Sequence, residues 1–477
     1  MASGAHDAIV VGSGPNGLAA AILLARAGLR VLVLEAMETP GGSARSAALT
    51  LPGFVHDPGS AIHPMAAGSP FFRSLRLDRF GLDWVHPDIP LAHPLPDHFP
   101  AASLFRSLAS TAASLGPDAL TYRRFMRPLV RHWEHIASEI LQPIPHIPRH
   151  PVSLAQFGIR ALWPAQSLID RYFRGEPARA LFAGLAAHSF LPLSAPGSAA
   201  VGTVLGMMGH AVGWPFPRGG AQSVTSALLA CLREAGGQVE CGVRVRSLAD
   251  LPPARAILLD VSPSQFLQLA GESLLSPYRD ALQRFRNAPG VFKIDYALDA
   301  PVPWLDDACR RAGTVHLGGS AQEIAASEQA VARGRIPDCP FVLAAQHTLF
   351  DSTRAPAGKH TLWAYCHIPF GSIFDMTSRI EQQIERFAPG FRDRILARHV
   401  MGPGRLEAWN PNLAGGDISG GAATLWQLLA RPVLSATPYR TPLHGVYLCS
   451  ASTPPGGGVH GMCGFYAGLA ALADVFA

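Results

Sequence analysis

The chain of 477 residues has little charge, since Asp, Glu, Lys and Arg together make up 15% of it. The 39 basic and 34 acidic residues leave a net charge of +5, which we read as spread along the chain and not gathered in a block. This pattern is not that of a nucleic-acid-binding protein. With 48% hydrophobic residues, the composition also excludes general disorder.

Cysteines are few, and no apolar run is long. The seven cysteines form no Cys-x-x-Cys pair, so we expect reduced thiols and no disulfide-exchange activity. No run of 18 apolar residues appears, and the first residues lack the pattern of a secretory signal. We therefore expect a cytoplasmic protein, with peripheral contact at the inner membrane face left open.

Histidines are common, but their spacing does not predict a metal site. His132 and His135 form one close pair, and His146 and His150 form another. Neither pair lies in an HExxH context, and Pro148 stands inside the second. We predict packing or surface roles for these histidines and no bound metal.

The first chemical motif lies at the N-terminal end and is typical of a dinucleotide site. An apolar run over residues 8–11 predicts a buried strand, and a helix is predicted over 18–27. Between them lies the glycine motif, which consists of Gly12, Ser13, Gly14, Pro15, Asn16 and Gly17. A second strand, predicted over 30–34, ends at Glu35 and Ala36, where the ribose-binding acid of such a fold belongs. The glycines permit a tight turn, close approach of a pyrophosphate and close packing of the helix.

A second glycine pair distinguishes between dinucleotides. Gly41, Gly42, Ser43 and Arg45 follow Glu35, and this extension is similar to a motif of flavoproteins that plain nicotinamide dehydrogenases lack. An ordinary solvent turn is the alternative. The pair favours FAD as the cofactor.

The C-terminal end repeats the arrangement of strand, glycine turn and helix. The predicted strand covers 445–450 and ends at Ser450, and the predicted helix covers 462–475. The turn between them contains Gly457, Gly458, Val459 and His460. We expect it to face the flavin edge where negative charge accumulates on reduction. His460 is the one catalytic candidate, through contact with flavin or substrate.

Together these motifs resemble FAD-dependent oxidoreductases of the phytoene desaturase-like family, in the branch of pyridine nucleotide-disulphide oxidoreductase domain-containing proteins. The resemblance covers most of the chain, including the stretches 217–222, 292–298, 354–360 and 415–421. It implies FAD and a hydrophobic, isoprenoid or carotenoid-like substrate. The disulphide activity in the branch name is not implied, because no Cys-x-x-Cys is present.

The expected fold is α/β, with a Rossmann-like FAD-binding domain of the glutathione reductase/amine oxidase type interleaved with an α+β substrate-binding domain. We assign residues 1–70, 215–285 and 415–477 to the FAD domain, and 71–214 and 286–414 to the substrate domain. In similar proteins the backbone at Val243 contacts the adenine. Val243 lies in a strand predicted over 239–245, and a purely structural role for it in an ordinary core strand is an equal alternative.

The predicted chemistry is hydride transfer from substrate to flavin, followed by reoxidation by oxygen, a quinone or another acceptor. No acid-base residue other than His460 emerges from the sequence. Apolar residues that could line a substrate tunnel, but that more commonly form core, are Phe190, Leu191, Trp214, Phe216, Trp363 and Phe370. The alternatives are an amine oxidase, a flavin-dependent isomerase, a lipid-binding escort without catalysis, and a simple NAD dehydrogenase. The oligomeric state is not predicted.

Overall fold

The computed structural model describes residues 6–96, 99–144 and 146–477. In these ranges the strands are β1 (Ala8–Val11), β2 (Val31–Leu34), β3 (Trp84–Val85), β4 (Ile89–His93), β5 (Ala102–Leu104), β6 (Phe216–Pro217), β7 (Gln238–Glu240), β8 (Ala256–Leu259), β9 (Gly290–Leu298), β10 (Ala312–Leu317), β11 (Val342–Ala345), β12 (His360–Ile368), β13 (Ile395–Met401) and β14 (Val446–Leu448). They form a sheet of five strands, a sheet of seven and the short pair β3 and β6.

The helices enclose both large sheets. In the described ranges they are α1 (Pro15–Arg26), α2 (Pro64–Gly68), α3 (Pro70–Leu75), α4 (Leu108–Ser114), α5 (Ala119–Arg131), α6 (Trp133–Ile140), α7 (Pro151–Ala161), α8 (Ala165–Tyr172), α9 (Glu176–Ala187), α10 (Ala199–Ala211), α11 (Gln222–Glu234), α12 (Pro263–Ala270), α13 (Ser276–Gln283), α14 (Asp307–Arg310), α15 (Ala321–Ala332), α16 (Thr377–Phe387), α17 (Pro403–Trp409), α18 (Leu425–Leu429) and α19 (Met462–Ala471). None of the helices in the described ranges is long and apolar enough to cross a membrane.

The five-stranded sheet is parallel, in the order β14-β8-β1-β2-β7. Both central strands, β1 and β2, are fully buried, as expected for a parallel sheet covered by helices on both faces. Its strands come from three separate parts of the chain, around residues 8–34, 238–259 and 446–448. The α/β class and the Rossmann-like arrangement are thereby confirmed, whereas the exact domain boundaries stay a prediction.

The seven-stranded sheet has the order β13-β9-β12-β11-β10-β4-β5 and is antiparallel except for the pair β10 and β4. Side chains alternate between its two faces. The outer face is apolar and packs under α16, with Ile294, Leu362 and Ala364 fully buried. The inner face is equally buried but carries polar and aromatic side chains, and α9 covers part of it.

One predicted strand is wrong in its extent. The strand expected over 239–245 ends at Glu240, and Val243 lies beyond it in irregular chain with 38% of its surface exposed. Charged and polar neighbours interrupt the apolar run, so the chain leaves the sheet as soon as β2 ends. The helix predicted over 462–475 is α-helical to Ala471 and closes in a π-turn.

Candidate functional site

The glycine motif forms the turn between β1 and α1. Gly12 has φ of +98°, which a side chain would strain, and α1 begins at Pro15. A Cβ on Gly17 would collide with the carbonyl oxygen of Gly12, whereas a Cβ on Gly14 would lie 2.5 Å from Oδ2 of Asp260. The turn therefore leaves backbone close to the surface that an incoming phosphate would approach.

Glu35 stands at the end of β2 beside this turn. Its Oε2 accepts hydrogen bonds from the Ser13 amide at 2.9 Å and the Ser13 hydroxyl at 2.5 Å, and its Oε1 accepts from the Met37 amide at 2.9 Å. The Ser13 hydroxyl in turn accepts from the Gly41 amide at 3.0 Å, which ties the second glycine pair to the first. Oε2 accepts two hydrogen bonds and Oε1 only one, so Oε1 retains a lone pair that can accept from a ribose hydroxyl.

Arg45 is a buried cation beside the second glycine pair. Only 6% of it is exposed, and its guanidinium lies 4.4 Å from the centroid of the Trp409 ring. In the described chain it donates only to backbone carbonyls, those of Gly42, Thr39 and Trp409. Burial lowers the pKa of Arg45, and Glu35 acts on it only at longer range. A buried guanidinium with no ion-pair partner suits an anionic ligand.

Asp260 is a site residue that the sequence motifs did not indicate. It follows β8, and its Oδ2 accepts a hydrogen bond from the Gly17 amide at 3.0 Å. Burial raises its pKa to about 7. Its position was available as a signal, since the carboxyl ends of neighbouring parallel strands meet at one edge of a sheet.

The C-terminal turn is held from within by His460, which is fully buried. Its Nε2 donates to the Gly456 carbonyl at 3.1 Å, and its Nδ1 accepts from the Met462 amide at 3.0 Å. Its own carbonyl accepts from the Ser69 hydroxyl at 2.7 Å. Burial lowers the pKa of His460 to about 4, so the ring is neutral. Both ring nitrogens thus serve the turn itself, and the predicted contact with flavin or substrate stays a prediction.

A second buried cation supports the same turn. Arg431 is 2% exposed and donates to the carbonyls of Ser419, Gly420 and Ala451, while Asp417 acts on it only at longer range. Ser450 is buried at the end of β14, and Gly458 has φ of +123°. Like the first loop, this one combines strand end, glycine turn, helix N-terminus and a guanidinium bonded only to carbonyls.

These two loops fit the predicted dinucleotide. Both lie at carboxyl ends of strands in the parallel sheet, and glycines where side chains would collide form both cradles. The predicted first-loop residues Gly12, Ser13, Gly14, Pro15, Asn16, Gly17, Glu35, Gly41, Gly42, Ser43 and Arg45 surround one place, and buried Asn16 leaves its Oδ1 without a partner there. Ala36 is exposed beside them. At Val243 the amide donates to the Glu35 carbonyl at 2.8 Å, so its adenine contact stays a prediction.

A buried ion-pair cluster joins the parallel sheet's domain to the seven-stranded sheet. Arg354, 1% exposed, places Nη1 2.6 Å from Oδ2 of Asp57 and Nε 3.3 Å from Oδ2 of Asp351. Its Nη2 donates to the Pro217 carbonyl at 3.0 Å. Burial opposes ionisation of Asp57, but Arg354 and the hydrogen bond from Ser46 lower its pKa to about 2. The cluster fixes the two domains against each other.

The inner face of the seven-stranded sheet carries one buried lysine. Lys293, one of two lysines in the chain, donates to Asp295 and lies 5.6 Å from the centroid of the Trp363 ring. Trp363 Nε1 donates to the Asp57 carbonyl at 3.1 Å, so this part of the face adjoins the nucleotide domain. Burial lowers the pKa of Lys293 and raises that of Asp295 to about 6. Sequence analysis missed this pair, although a lone lysine in an apolar strand was a signal.

Farther along β12 lies a carboxylate–imidazole dyad. His367 Nδ1 is 2.8 Å from Oε2 of Glu328, both residues are buried, and His367 Nε2 has no hydrogen-bond partner. The Phe190 ring lies 4.0 Å from the His367 ring between centroids, with Phe190 held at φ of 59°. Tyr365 precedes His367 on the same face. A buried nitrogen left open in this way needs an explanation.

More imidazoles continue this face. His316 Nε2 lies 3.1 Å from His188 Nε2, and Trp214 lies near both rings, with centroids 6.0 and 5.8 Å away. Burial lowers the pKa of His188 to about 3 and that of His316 well below its usual value. We call the inner-face group Phe190, Trp214, Tyr365, His188, His316 and His367 the aromatic chamber. Burial keeps the rings of His188 and His316 uncharged, so the group is a buried aromatic cluster.

The other predicted positions divide between core and surface. Phe190, Leu191, Trp214 and Phe216 are buried and Trp363 is partly buried, whereas Phe370 is 50% exposed in a surface loop. His135 and His150 stack at 3.9 Å between ring centroids. In the described part of the chain, His, Cys, Asp and Glu side chains form no group of three or more that could hold a metal ion.

Known proteins resemble this chain in sequence. The family model described as NAD(P)-binding Rossmann-like domain matches residues 10–76. The pyridine nucleotide-disulfide oxidoreductase domain-containing protein 2 of Rattus norvegicus is 26% identical over 96% of this chain and 92% of its own length. The phytoene dehydrogenase of Streptomyces griseus is 24% identical over 82% of this chain and 77% of its own length. The family resemblance predicted from the motifs is confirmed.

Solved structures share the fold. An oxidoreductase from Methanosarcina mazei superimposes with a TM-score of 0.66 at 15% identity, over 98% of this chain and 99% of that one. Putrescine oxidase bound to putrescine superimposes with a TM-score of 0.64 at 18% identity, over 99% of both chains. These neighbours confirm the predicted fold class.

Proposed function

We propose that this chain, an oxidoreductase related to the phytoene desaturase-like proteins, uses FAD to remove hydrogen from a lipophilic substrate. The observation that carries the proposal is the pair of glycine loops at the parallel sheet, each with a buried arginine bonded only to carbonyls. Such loops suit a ligand with two phosphates and a ring that gains negative charge on reduction. The phytoene dehydrogenase of Streptomyces griseus supports the substrate class.

In this proposal the chain's residues hold the cofactor at separate points. Glu35 would accept from the ribose, the Gly12–Gly17 turn and Arg45 would bind the pyrophosphate, and the turn around Gly457 would face the ring. When bound, FAD would supply the hydride acceptor. Oxygen, a quinone or another oxidant would then restore it.

The aromatic chamber would receive the substrate. Its aromatic rings and the uncharged imidazoles of His188 and His316 would exclude water and favour a long apolar molecule over a charged one. The buried face also adjoins the nucleotide domain through Trp363 and Asp57. An isoprenoid or carotenoid-like molecule fits this chamber best.

We propose that His367 accepts the proton that the substrate loses. Desaturation breaks two C–H bonds; one hydrogen leaves with its electron pair as hydride, the other leaves as a proton, and a C=C bond forms. If Nδ1 of His367 donates to Glu328, its Nε2 is unprotonated and can accept that proton. The carboxylate orients the ring and stabilises the imidazolium, as in other carboxylate–imidazole pairs.

The test begins with the absorption spectrum of the purified protein before and after denaturation. Anaerobic incubation with phytoene in detergent micelles should then bleach the flavin bands and yield a product two hydrogens lighter. In His367→Gln, flavin content and substrate binding should persist while bleaching slows by about 10²-fold or more. His135→Gln, a surface stacking histidine, is the matched control.

Each other outcome identifies a different function. Protein that stays colourless after incubation with FAD would overturn the proposal and favour an escort. Product isomerised without consumption of an oxidant would indicate an isomerase. Bleaching by NADH in place of phytoene would indicate nicotinamide chemistry.

An amine oxidase is the second candidate, and one observation favours it. Trp363 and Tyr365 form an edge-to-face pair, with ring centroids 5.0 Å apart, on the part of the sheet nearest the nucleotide domain. Aromatic faces attract amines that carry a positive charge. Release of peroxide and aldehyde from putrescine or cyclohexylamine would establish this activity.

A further inference from the structure

Helix α7 exposes an apolar face to solvent, and only three of its residues are buried. Val152, Ile159 and Leu162 are 69%, 66% and 59% exposed. With Ala155 and Trp163, which are also exposed, they follow a helical spacing of three and four residues. The buried positions are Ser153, Phe157 and Ala161. A helix on a protein surface ordinarily turns its apolar residues inward, so this outward face requires a partner.

The apolar face extends beyond the helix. Ile147 is 93% exposed just before α7, and Tyr172 is 40% exposed at the end of α8. We call Ile147, Val152, Ala155, Ile159, Leu162 and Trp163 the α7 face. Contiguous exposed apolar patches of this kind mark sites of association with a protein or a membrane.

The chain's charge is concentrated around this face. Residues 119–174 contain eight arginines, no lysine and three acidic residues, a net charge of +5. The whole chain also carries +5, so the remainder is balanced. The net charge is therefore not spread along the chain, as the composition led us to expect, but lies within this segment. The exposed arginines are Arg123, Arg124, Arg127, Arg131, Arg149, Arg171 and Arg174.

Four of the basic residues lie on α5, which packs beside α7. The Arg160 guanidinium of α7 lies 5.1 Å from the centroid of the Phe125 ring on α5. Of the acidic residues in the segment, Glu139 is buried against His146. The apolar stripe is thus bordered by cations with few anions among them.

We propose that the α7 face docks on the surface of an anionic lipid bilayer. An apolar helix face beside an arginine-rich surface is the pattern of an interfacial helix, whose side chains enter the acyl boundary while cations contact lipid phosphates. Trp163 suits the headgroup level. Helix α7 also packs on α10, whose Leu205 carbonyl accepts from Trp214 of the aromatic chamber at 3.2 Å. The surface does not depend on the proposed flavin chemistry.

The chain offers a matched control in its other exposed apolar segment. Ile373 is fully exposed and Phe374 is 42% exposed in the loop after β12. This loop is not helical, and its neighbour Asp375 adds negative charge. An Ile373→Glu variant therefore changes the same residue type as Ile159→Glu, at a position that is more exposed and lies away from the arginine-rich helices.

The test is flotation of the full-length protein with vesicles of phosphatidylcholine alone or with one quarter phosphatidylglycerol. We expect binding to the anionic vesicles that weakens when NaCl is raised from 50 to 500 mM, because salt screens the attraction. Ile159→Glu combined with Leu162→Glu should reduce binding about tenfold or more. Ile373→Glu should bind like the parent protein, and thermal melting of both variants should show that they fold.

Three results would overturn the proposal. One is the absence of flotation with anionic vesicles at low salt. Another is unchanged flotation of the folded double variant. The third is a dimer in light scattering that the double variant abolishes while vesicles leave it intact, which would assign the face to a second copy of the chain.

Discussion

Two regions of this molecule are built by opposite means. We call the glycine loops at the parallel sheet the nucleotide end, and the buried inner face of the seven-stranded sheet the sheet end. At the first, glycine turns bring backbone amides to the carboxyl edge of a parallel sheet, and the residues within each turn are close in sequence. At the second, buried side chains meet from distant segments: Arg354 and Asp57 are 297 residues apart, and His367 and Glu328 are 39 apart. A ligand site made of backbone leaves a motif in sequence, whereas one made of side-chain pairs leaves none.

The same two ends differ in how they treat buried charge. Arg45 and Arg431 donate only to carbonyls, whereas Arg354 has two carboxylates. Arg45 and Arg431 can therefore still attract an anionic ligand, because no carboxylate bonds to them. The charge of Arg354 is neutralised by its two carboxylates, so this residue connects the two domains through ion pairs.

The largest effect on stability should come from breaking the ion pairs of Arg354. Arg354→Met leaves Asp57 buried and unpaired, which should lower the free energy of unfolding by about 3–5 kcal/mol. The control is Arg73→Met, which removes an ion pair to Glu134 with both side chains more than half exposed; it should cost at most about 1 kcal/mol. Urea denaturation measures both free energies of unfolding, and equal losses would mean that the Arg354 ion pairs do not hold the two domains together.

Next in size is the glycine loop. Gly14→Val places a branched side chain against Asp260 and in the path of the pyrophosphate, so FAD content should fall about 100-fold or more. Gly404→Ala, where no atom lies within 4 Å of the added Cβ, is the control. Flavin released from equal amounts of folded protein gives the measurement. A folded Gly14→Val protein with full flavin content would place the cofactor elsewhere.

Asp260 sharpens the comparison because its carboxyl lies among the backbone donors. Its folded pKa of about 7 exceeds the unfolded value, near 3.9. The stability it contributes is therefore complete below pH 4 and is lost as the pH rises through 7. Asp260→Asn should remove that loss, about 1–3 kcal/mol of unfolding free energy between pH 5 and 8.

Denaturation at a series of pH values checks this expectation. Asp83→Asn, at a carboxyl whose side chain is 60% exposed, should leave the pH dependence unchanged. A wild-type protein equally stable at pH 5 and 8, with no change in Asp260→Asn, would contradict the assignment.

These contrasts explain what could be predicted from sequence. Periodicity and glycine spacing gave β1, α1, β2 and the C-terminal strand and helix to within a few residues, because local sterics fix those elements. They could not give Asp260, Lys293 or the Glu328–His367 dyad, since strand register decides which side chains meet. The exposure of the apolar α7 face could not be predicted for another reason. Apolar residues at helical spacing do not indicate whether they face the core or the solvent.

The smallest effect should come from Glu35, the one acidic side chain predicted to bind at an end built mainly of backbone. Glu35→Ala removes acceptors for the ribose but leaves the glycine turn and Arg45, so FAD affinity should fall only about tenfold, the worth of roughly one hydrogen bond. Glu38→Ala, an exposed acid three residues on, should bind FAD unchanged. Calorimetric titration of flavin-free protein compares them. If both variants bind equally, Glu35 serves only to orient Ser13, and the nucleotide end is built of backbone even at the ribose.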